Sequence, residues 1–173
     1  MSDFVGVPRL GYQDSSAYGE FVLGDEYSVL DVEQDSSYEY LLTQSERRVN
    51  VRYVKNTSGA TLVPGTVVKR DVAGDVAHDV VAAGDNEVGC GIVDPRIIGS
   101  VEVDAKFLII VKGPIDVVAG GAAPAGGAAG VGAAGEVVTA ANTDVDAFGL
   151  FLEAPAAQGD VVRCDVDFRA VGN

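Results

Sequence analysis

Apolar and polar residues alternate along several short segments of this chain, and a period of two predicts half-buried β-strands. In residues 47–55 the apolar side chains share one face: Val49, Val51 and Tyr53. In residues 161–168 the same alternation gives a second apolar set: Val162, Cys164, Val166 and Phe168. Residues 106–112 are apolar on both faces, which predicts a central strand buried on both sides and ended by Gly113-Pro114. Shorter apolar segments at 66–69, 87–93, 115–118 and 148–152 complete the predicted strands.

A turn pattern recurs three times, at residues 63–68, 133–138 and 157–162. In each copy a small or proline-containing stretch is followed by Gly, any residue and Val-Val, which predicts a tight turn that leads into a strand. The irregular spacing of the copies favours one barrel-like sheet over a solenoid. Helix signals are scarce, and the best is a capping-box pattern at residues 36–39 that predicts a short helix into Tyr40-Leu41-Leu42. The predicted fold class is mainly β: a compact β-barrel or sandwich-like domain with a long extended N-terminal arm and little helix.

Charge and aromatic content divide the chain near residue 46. Residues 1–46 hold ten acidic residues, one basic residue and seven of the twelve aromatic residues. This composition predicts an acidic, aromatic-rich N-terminal arm or small lobe at residues 1–46, followed by a β-barrel-like domain at residues 47–173. Such an arm is either disordered or docked on another surface through its aromatic side chains, which offer large contact area at low entropic cost.

Residues 47–55 carry four basic residues and no acidic one. Two interpretations stay open: this face pairs with the acidic arm of the same chain, or it makes an electrostatic contact with a partner subunit. The second interpretation, combined with the aromatic arm, gives a candidate partner interface. Its residues are Tyr12, Tyr18, Phe21, Tyr27, Tyr38, Tyr40, Arg47, Arg48 and Arg52.

The overall charge disfavours two classes of partner. With 12 basic and 26 acidic residues among 173, the formal net charge is −14. A field of that sign repels nucleic-acid phosphates and anionic lipid headgroups, so we expect neither nucleic-acid nor membrane binding. The 19 uncharged residues from Val117 to Gly135 include seven glycines and almost nothing larger than alanine, which predicts a loop and not a membrane span. The N-terminal residues lack a basic and apolar leader, so we expect no secretory signal.

The candidate catalytic and ligand-binding patterns are weak. Residues 130–135 match the dinucleotide pattern G-x-G-x-x-G, but strand-forming residues follow where a helix is required, so we expect a loosely ordered loop. His78 is the only histidine, and Asp75 and Asp79 flank it without a nucleophile motif nearby. Cys90 and Cys164 have no metal-like spacing and read as reduced core thiols. We therefore expect no catalytic residues, no cofactor and no metal, and a protein that is not an enzyme.

Residues 49–168 resemble the small β-barrel head decoration, or cement, proteins of tailed bacteriophages. The matching features are the turn and strand at 64–68, the 80–84 piece leading to 88–93, the segment 107–114, the Gly/Ala-rich stretch into 135–138, and the closing segments 149–154 and 159–164. The resemblance covers about two thirds of the chain, and the arm at residues 1–46 departs from it.

This resemblance implies a non-enzymatic virion protein on the outer capsid surface, made in the host cytoplasm. Its implied partners are the major capsid protein, whose subunits it bridges and stabilises, and further copies of itself as a homotrimer. A virion fibre or host-surface glycan-binding module is the alternative. A trimeric β enzyme that hydrolyses nucleotides is a further alternative, but the chain lacks a basic phosphate cradle.

Overall fold

The computed structural model describes residues 22–30, 33–34, 40–41, 48–85, 87–140 and 147–168. Across these residues the protein is mainly β, as predicted, with twelve strands and one short 3₁₀ turn at Ala133–Gly135. The strands are β1 (Glu26–Leu30), β2 (Glu33–Gln34), β3 (Tyr40–Leu41), β4 (Arg48–Asn56), β5 (Val67–Arg70), β6 (Asp79–Ala82), β7 (Gly91–Val93), β8 (Lys106–Val118), β9 (Ala128–Val131), β10 (Val137–Thr139), β11 (Gly149–Phe151) and β12 (Val161–Asp167). Ten of them form one sheet, and β2 and β3 pair separately.

The long strand β8 belongs to both halves of the large sheet. Residues 106–112 pair antiparallel with β4, and residues 112–118 pair antiparallel with β12. The prediction that Gly113-Pro114 ends this strand is wrong, because β8 continues to Val118. Proline has no backbone N–H to donate to a neighbouring strand. The ladder between β8 and β4 ends at Lys112, so Pro114 pairs only with β12 and its missing N–H does not interrupt the ladder to β4.

The first half of the sheet closes into a five-stranded barrel. Its order runs from β4 through β6, β5 and β7 to β8, and the direct pairing of β4 with β8 completes the ring. Each strand of the ring contributes to one buried apolar cluster, here called the barrel core. Its strand residues are Val54, Val68, Val80, Val93, Phe107, Ile109 and Val111.

The second half extends from β8 through β12, β11 and β9 to β10. A parallel bridge between Ala119 and Val137 brings the chain after β8 back beside β10, so this half also curls on itself. A second buried cluster, here called the shared core, joins Leu108 and Ile110 of β8 to Phe151 of β11 and Cys164 of β12. Because Phe107 and Ile109 face the barrel core while Leu108 and Ile110 face the shared core, the prediction of a strand buried on both sides is confirmed.

The three predicted turns are present and share one backbone feature. Each contains a glycine with a positive φ: 83° at Gly65, 77° at Gly135 and 87° at Gly159. Two residues after each glycine a strand begins, namely β5, β10 and β12 in turn. A positive φ strains residues that carry a Cβ, so the repeated glycine has a direct steric reason.

Three segments that were not predicted as strands form strands in the structure. Residues 26–30 of the predicted arm form β1 and pair antiparallel with β4 in the large sheet. Tyr40 and Leu41 form a strand, so the predicted helix is wrong there, and residues 36–39 lie outside the described residues. Residues 128–131 form β9 with its last three residues buried, so the loop predicted for 117–135 is wrong in that part. In the described part of the chain, no helix is long and apolar enough to cross a bilayer.

Candidate functional site

The structure describes the side chains of two predicted interface residues. Tyr12, Tyr18, Phe21, Tyr38 and Arg47 lie outside the described residues. Tyr40 lies in β3 and Arg48 at the start of β4, and their positions are given by the backbone alone. In the β1–β4 ladder Tyr27 is opposite Val51 and Glu26 is opposite Arg52, so Tyr27 and Arg52 project from opposite faces of the sheet.

Arg52 pairs with the acidic segment of its own chain. Its Nη2 lies 2.5 Å from Oε1 of Glu26, and the two side chains are 17% and 29% exposed. This contact matches the first interpretation of the basic segment, in which the face pairs with the chain's own acidic residues. An ion pair of this partly exposed kind contributes on the order of 1 kcal/mol or less.

Tyr27 packs against the protein's own core. Its ring is half-buried on the shared core, and its hydroxyl accepts a hydrogen bond from the backbone N–H of Val22 at 3.1 Å. Two backbone hydrogen bonds, from Gly24 N–H to the Tyr53 carbonyl and from Tyr53 N–H to the Asp25 carbonyl, tie the same segment to β4. Tyr27 therefore holds the beginning of β1 on the barrel.

Other basic side chains are also engaged by acids of the same chain. The pairs are Lys55–Asp104 at 2.6 Å, Lys69–Glu87 at 2.5 Å, Lys112–Asp167 at 2.5 Å and Arg163–Asp116 at 2.6 Å. The hydrogen bond with Asp104 raises the pKa of Lys55, and that with Lys69 lowers the pKa of Glu87. Because these cations are neutralised locally, the excess of acidic residues dominates the surface charge.

The glycine-rich pattern at residues 130–135 is a β-hairpin corner. Gly130 and Val131 end β9, one 3₁₀ turn follows at Ala133–Gly135, and β10 begins at Val137. A dinucleotide site needs a helix N-terminus after the glycines, and here a strand follows instead. The predicted loose loop is also wrong, because a Cβ on Gly132 would lie only 2.6 Å from Cγ1 of Val138, so the corner is closely packed.

His78 lies between two carboxylates at the surface. Its Nδ1 is 3.7 Å from Oδ2 of Asp75 and its Nε2 is 3.3 Å from Oδ1 of Asp79. Within the described ranges no group of three or more His, Cys, Asp or Glu side chains is arranged to hold a metal ion. His78 is therefore a partly exposed residue on the turn before β6 with a carboxylate near each ring nitrogen.

Both cysteines are free thiols, as predicted. Burial raises the pKa of Cys164 to about 12 and that of Cys90 to about 11. At neutral pH both are protonated, and only the thiolate is a good nucleophile. Cys164 belongs to the shared core and Cys90 packs against the barrel core, so both serve as packing groups.

A group of exposed apolar side chains lies on the outer side of β11 and β12. Three apolar side chains point to solvent there: Leu150 and Leu152 are each 50% exposed, and Val161 is 67% exposed. We call these three residues the apolar face. The sequence pattern did not reveal it because residues 148–152 are apolar on both faces of the strand, so alternation could not tell outward from inward positions. The position of Val161, out of step with the buried Val162, Cys164 and Val166, was the available signal.

The architecture is that of one large sheet whose two curled halves share strand β8. No family model matches this chain, and no curated protein matches it. Among solved structures, the fold is similar to the head fiber gp8.5 N base of bacteriophage phi29, with a TM-score of 0.55 and 16% sequence identity. The likeness covers 68% of this chain and 95% of that one. At this identity the comparison shows a shared fold.

Proposed function

We propose that this chain is a structural protein of a phage virion, carried on the outer surface of the head and bound to the major capsid protein. The observation that carries the proposal is the fold likeness to the N base of a phage head fiber, 95% of which is covered. The turn and strand pattern of residues 49–168 supports the same class independently, since it resembles phage head decoration proteins.

The chemistry of the described side chains favours binding over catalysis. The two thiols are protonated at neutral pH because burial raises the pKa of each one. Nδ1 of His78 lies 3.7 Å from the carboxylate of Asp75 and Nε2 lies 3.3 Å from that of Asp79. We propose that the protein is not an enzyme and acts through its surfaces without a cofactor.

Within that class we propose a decoration role, in which the protein bridges and stabilises major capsid subunits and assembles as a homotrimer on the shell. The second candidate is a head-fibre or host-surface module, and the fiber base found among solved structures specifically favours it. The two roles differ in copy number and in ligand: decoration saturates the shell lattice, while a host-binding module recognises a surface glycan.

A co-sedimentation titration separates these roles. Purified protein is mixed with expanded heads of the cognate phage, stripped of surface proteins, and the bound copies are counted by gel densitometry. Saturation at a copy number that matches the lattice sites supports decoration, and saturation at a small fraction of them supports a fibre. Absence of binding above that of an unrelated acidic protein contradicts a head-bound role, and strong glycan binding by the same sample then favours the host-surface module.

A further inference from the structure

The outer surface of β9, β11, β12 and β8 carries exposed apolar side chains among charged ones such as Arg163 and Asp165. These strands pair antiparallel, and their inner side faces the shared core through Ala129, Phe151 and Cys164. Antiparallel sheets with one buried face ordinarily carry polar residues on the other. Here Leu150, Leu152 and Val161 occupy outward positions and remain half or more exposed.

The apolar character continues across neighbouring strands. Val118 on β8 is opposite Val161, and Ala128 on β9 is opposite Leu150. Both are only partly buried, so apolar residues occupy outward positions on all four strands, and we call this set the strip. Apolar residues grouped on one face point to an interaction site, whereas single exposed apolar residues need no explanation.

The charges around the strip are acidic. Exposed Asp165 is opposite Leu150 on β12, and exposed Glu153 follows Leu152 in the chain. The cations nearby are engaged within the chain: Arg163 Nε lies 2.6 Å from Asp116, and Lys112 Nζ lies 2.5 Å from Asp167. Exposed Asp165 and Glu153 therefore lie beside the leucines, and we call these two carboxylates the acidic rim.

We propose that the apolar face is the surface that docks on the capsid shell, against a subunit that presents apolar side chains ringed by lysine or arginine. The proposal rests on the proposed function and adds which face of the molecule meets the shell. At this face a second copy of the chain fits less well, because it would bring the same carboxylates, Asp165 and Glu153, into contact. A basic-rimmed partner neutralises Asp165 and Glu153 while covering the leucines.

The test compares head binding by two matched variants. In the first, Leu150→Thr/Leu152→Thr makes the face polar with residues that suit a strand. In the second, Val72→Thr/Ile98→Thr changes two side chains that are 87% and 97% exposed elsewhere on the protein. We expect the first variant to bind stripped heads about tenfold or more weakly, since two half-exposed leucines lose their apolar contacts, and the second to bind like wild type. Urea denaturation midpoints establish that both variants are folded.

Two further measurements sharpen the result. Asp165→Lys should weaken binding and flatten its dependence on salt, because it reverses one charge of the rim. Carbodiimide labelling of carboxylates should show Asp165 and Glu153 protected in the head-bound protein and reactive in the free protein.

The outcomes separate this inference from the proposed function. If wild type and the leucine variant bind heads equally, the face is not the docking surface while the head-bound role stands. If wild type does not bind heads, both fail. If wild type self-associates in sedimentation equilibrium and the leucine variant is monomeric, the face joins copies of this chain and the inference is overturned.

Discussion

Asn56 is the most completely bonded polar side chain in the described structure. It is fully buried, and its Nδ2 lies within hydrogen-bond distance of the carbonyl oxygens of Ala60, Val101 and Glu102. Its Oδ1 accepts from the backbone N–H and the hydroxyl of Ser58. The Asn-Thr-Ser sequence at 56–58 matches a glycosylation sequon, but this amide is committed to holding two loops at the end of the barrel.

We expect Asn56→Ala to destabilise the protein by about 3 kcal/mol, because it removes a fully buried amide together with its hydrogen bonds to the carbonyl oxygens and to Ser58. Ser58→Ala should cost roughly 1 kcal/mol or less, since Ser58 is only partly buried and water can replace its hydroxyl. Urea denaturation followed by circular dichroism measures both. Equal losses for the two variants would contradict the role given to the amide.

Two turn glycines that match in sequence differ in their surroundings. A Cβ on Gly135 would lie 2.6 Å from the carbonyl oxygen of Val67, whereas a Cβ on Gly159 would meet nothing within 4 Å. Both glycines have a positive φ, so an alanine would strain the backbone at either position. Only at Gly135 would its Cβ also clash with a neighbouring atom. We expect Gly159→Ala to cost about 1 kcal/mol and Gly135→Ala about 3 kcal/mol or more. Thermal unfolding of the pair tests this, and a similar loss in both would mean that backbone strain alone explains the repeated glycine.

At the scale of elements, the pairing of β1 with β4 determines how the effect of an N-terminal truncation is interpreted. Removing residues 1–46 deletes β1 along with the aromatic arm and leaves an edge of β4 unpaired. Exposed strand edges promote aggregation, so such a truncation confounds binding with folding. Removing residues 1–21 keeps β1, Tyr27 and the Glu26 partner of Arg52.

We expect the protein without residues 1–30 to unfold at a clearly lower urea concentration than the protein without residues 1–21. If Tyr12, Tyr18 and Phe21 anchor on the shell or on a neighbouring copy, the shorter truncation loses head binding while its unfolding transition is preserved. Head binding equal to that of the full chain would remove these three residues from the interface.

Strands were predictable from sequence where one face alone is buried. Alternation placed Val49, Val51 and Tyr53 on the buried side of β4, and the same rule oriented β12. It failed at Gly113-Pro114, because the effect of a proline depends on which neighbouring strand needs its N–H, and that is a tertiary property. It also missed the apolar face, since Leu150, Phe151 and Leu152 look alike to a rule that compares polar with apolar.

At the scale of the whole molecule, β8 links the two cores into one cooperative unit. Ile109 belongs to the barrel core and Ile110 to the shared core, one residue apart on the same strand. We expect Ile109→Ala and Ile110→Ala each to cost about 2–5 kcal/mol and to shift a single unfolding transition. The chain has no tryptophan, so tyrosine fluorescence and far-ultraviolet circular dichroism are the paired probes. Two separate transitions would show that the halves unfold independently.

The acidic surface sets how stability responds to pH. The pKa of Glu87 is lowered by Lys69 and the Gly84 N–H, and the pKa of Asp71 is lowered by the Thr57 hydroxyl and the Ala73 N–H. Carboxyl groups with a lower pKa in the folded state stabilise it above their ordinary pKa, and this stability is lost as pH falls through the lowered value. We expect the urea midpoint to decrease as pH falls from about 5 to about 3.

Glu87→Gln/Asp71→Asn should lower the midpoint at neutral pH and flatten its decrease in acid. Asp85→Asn removes one exposed charge near Glu87 and serves as the charge-matched control for Glu87→Gln alone. An unchanged acid profile in the double variant would show that other carboxylates govern it.

The closure of β4 on β8 has a consequence for how the protein is made. The two strands lie about 50 residues apart in the chain, and their ladder closes the barrel ring. Contacts between distant segments are slow to form, because closing the intervening loop lowers the chain entropy before the stabilising strand pairing is made. During synthesis β4 therefore leaves the ribosome long before its partner, and the barrel closes only after β8 has emerged. A protein with this topology folds late and as a whole, and for that interval chaperones have the best access to its strands.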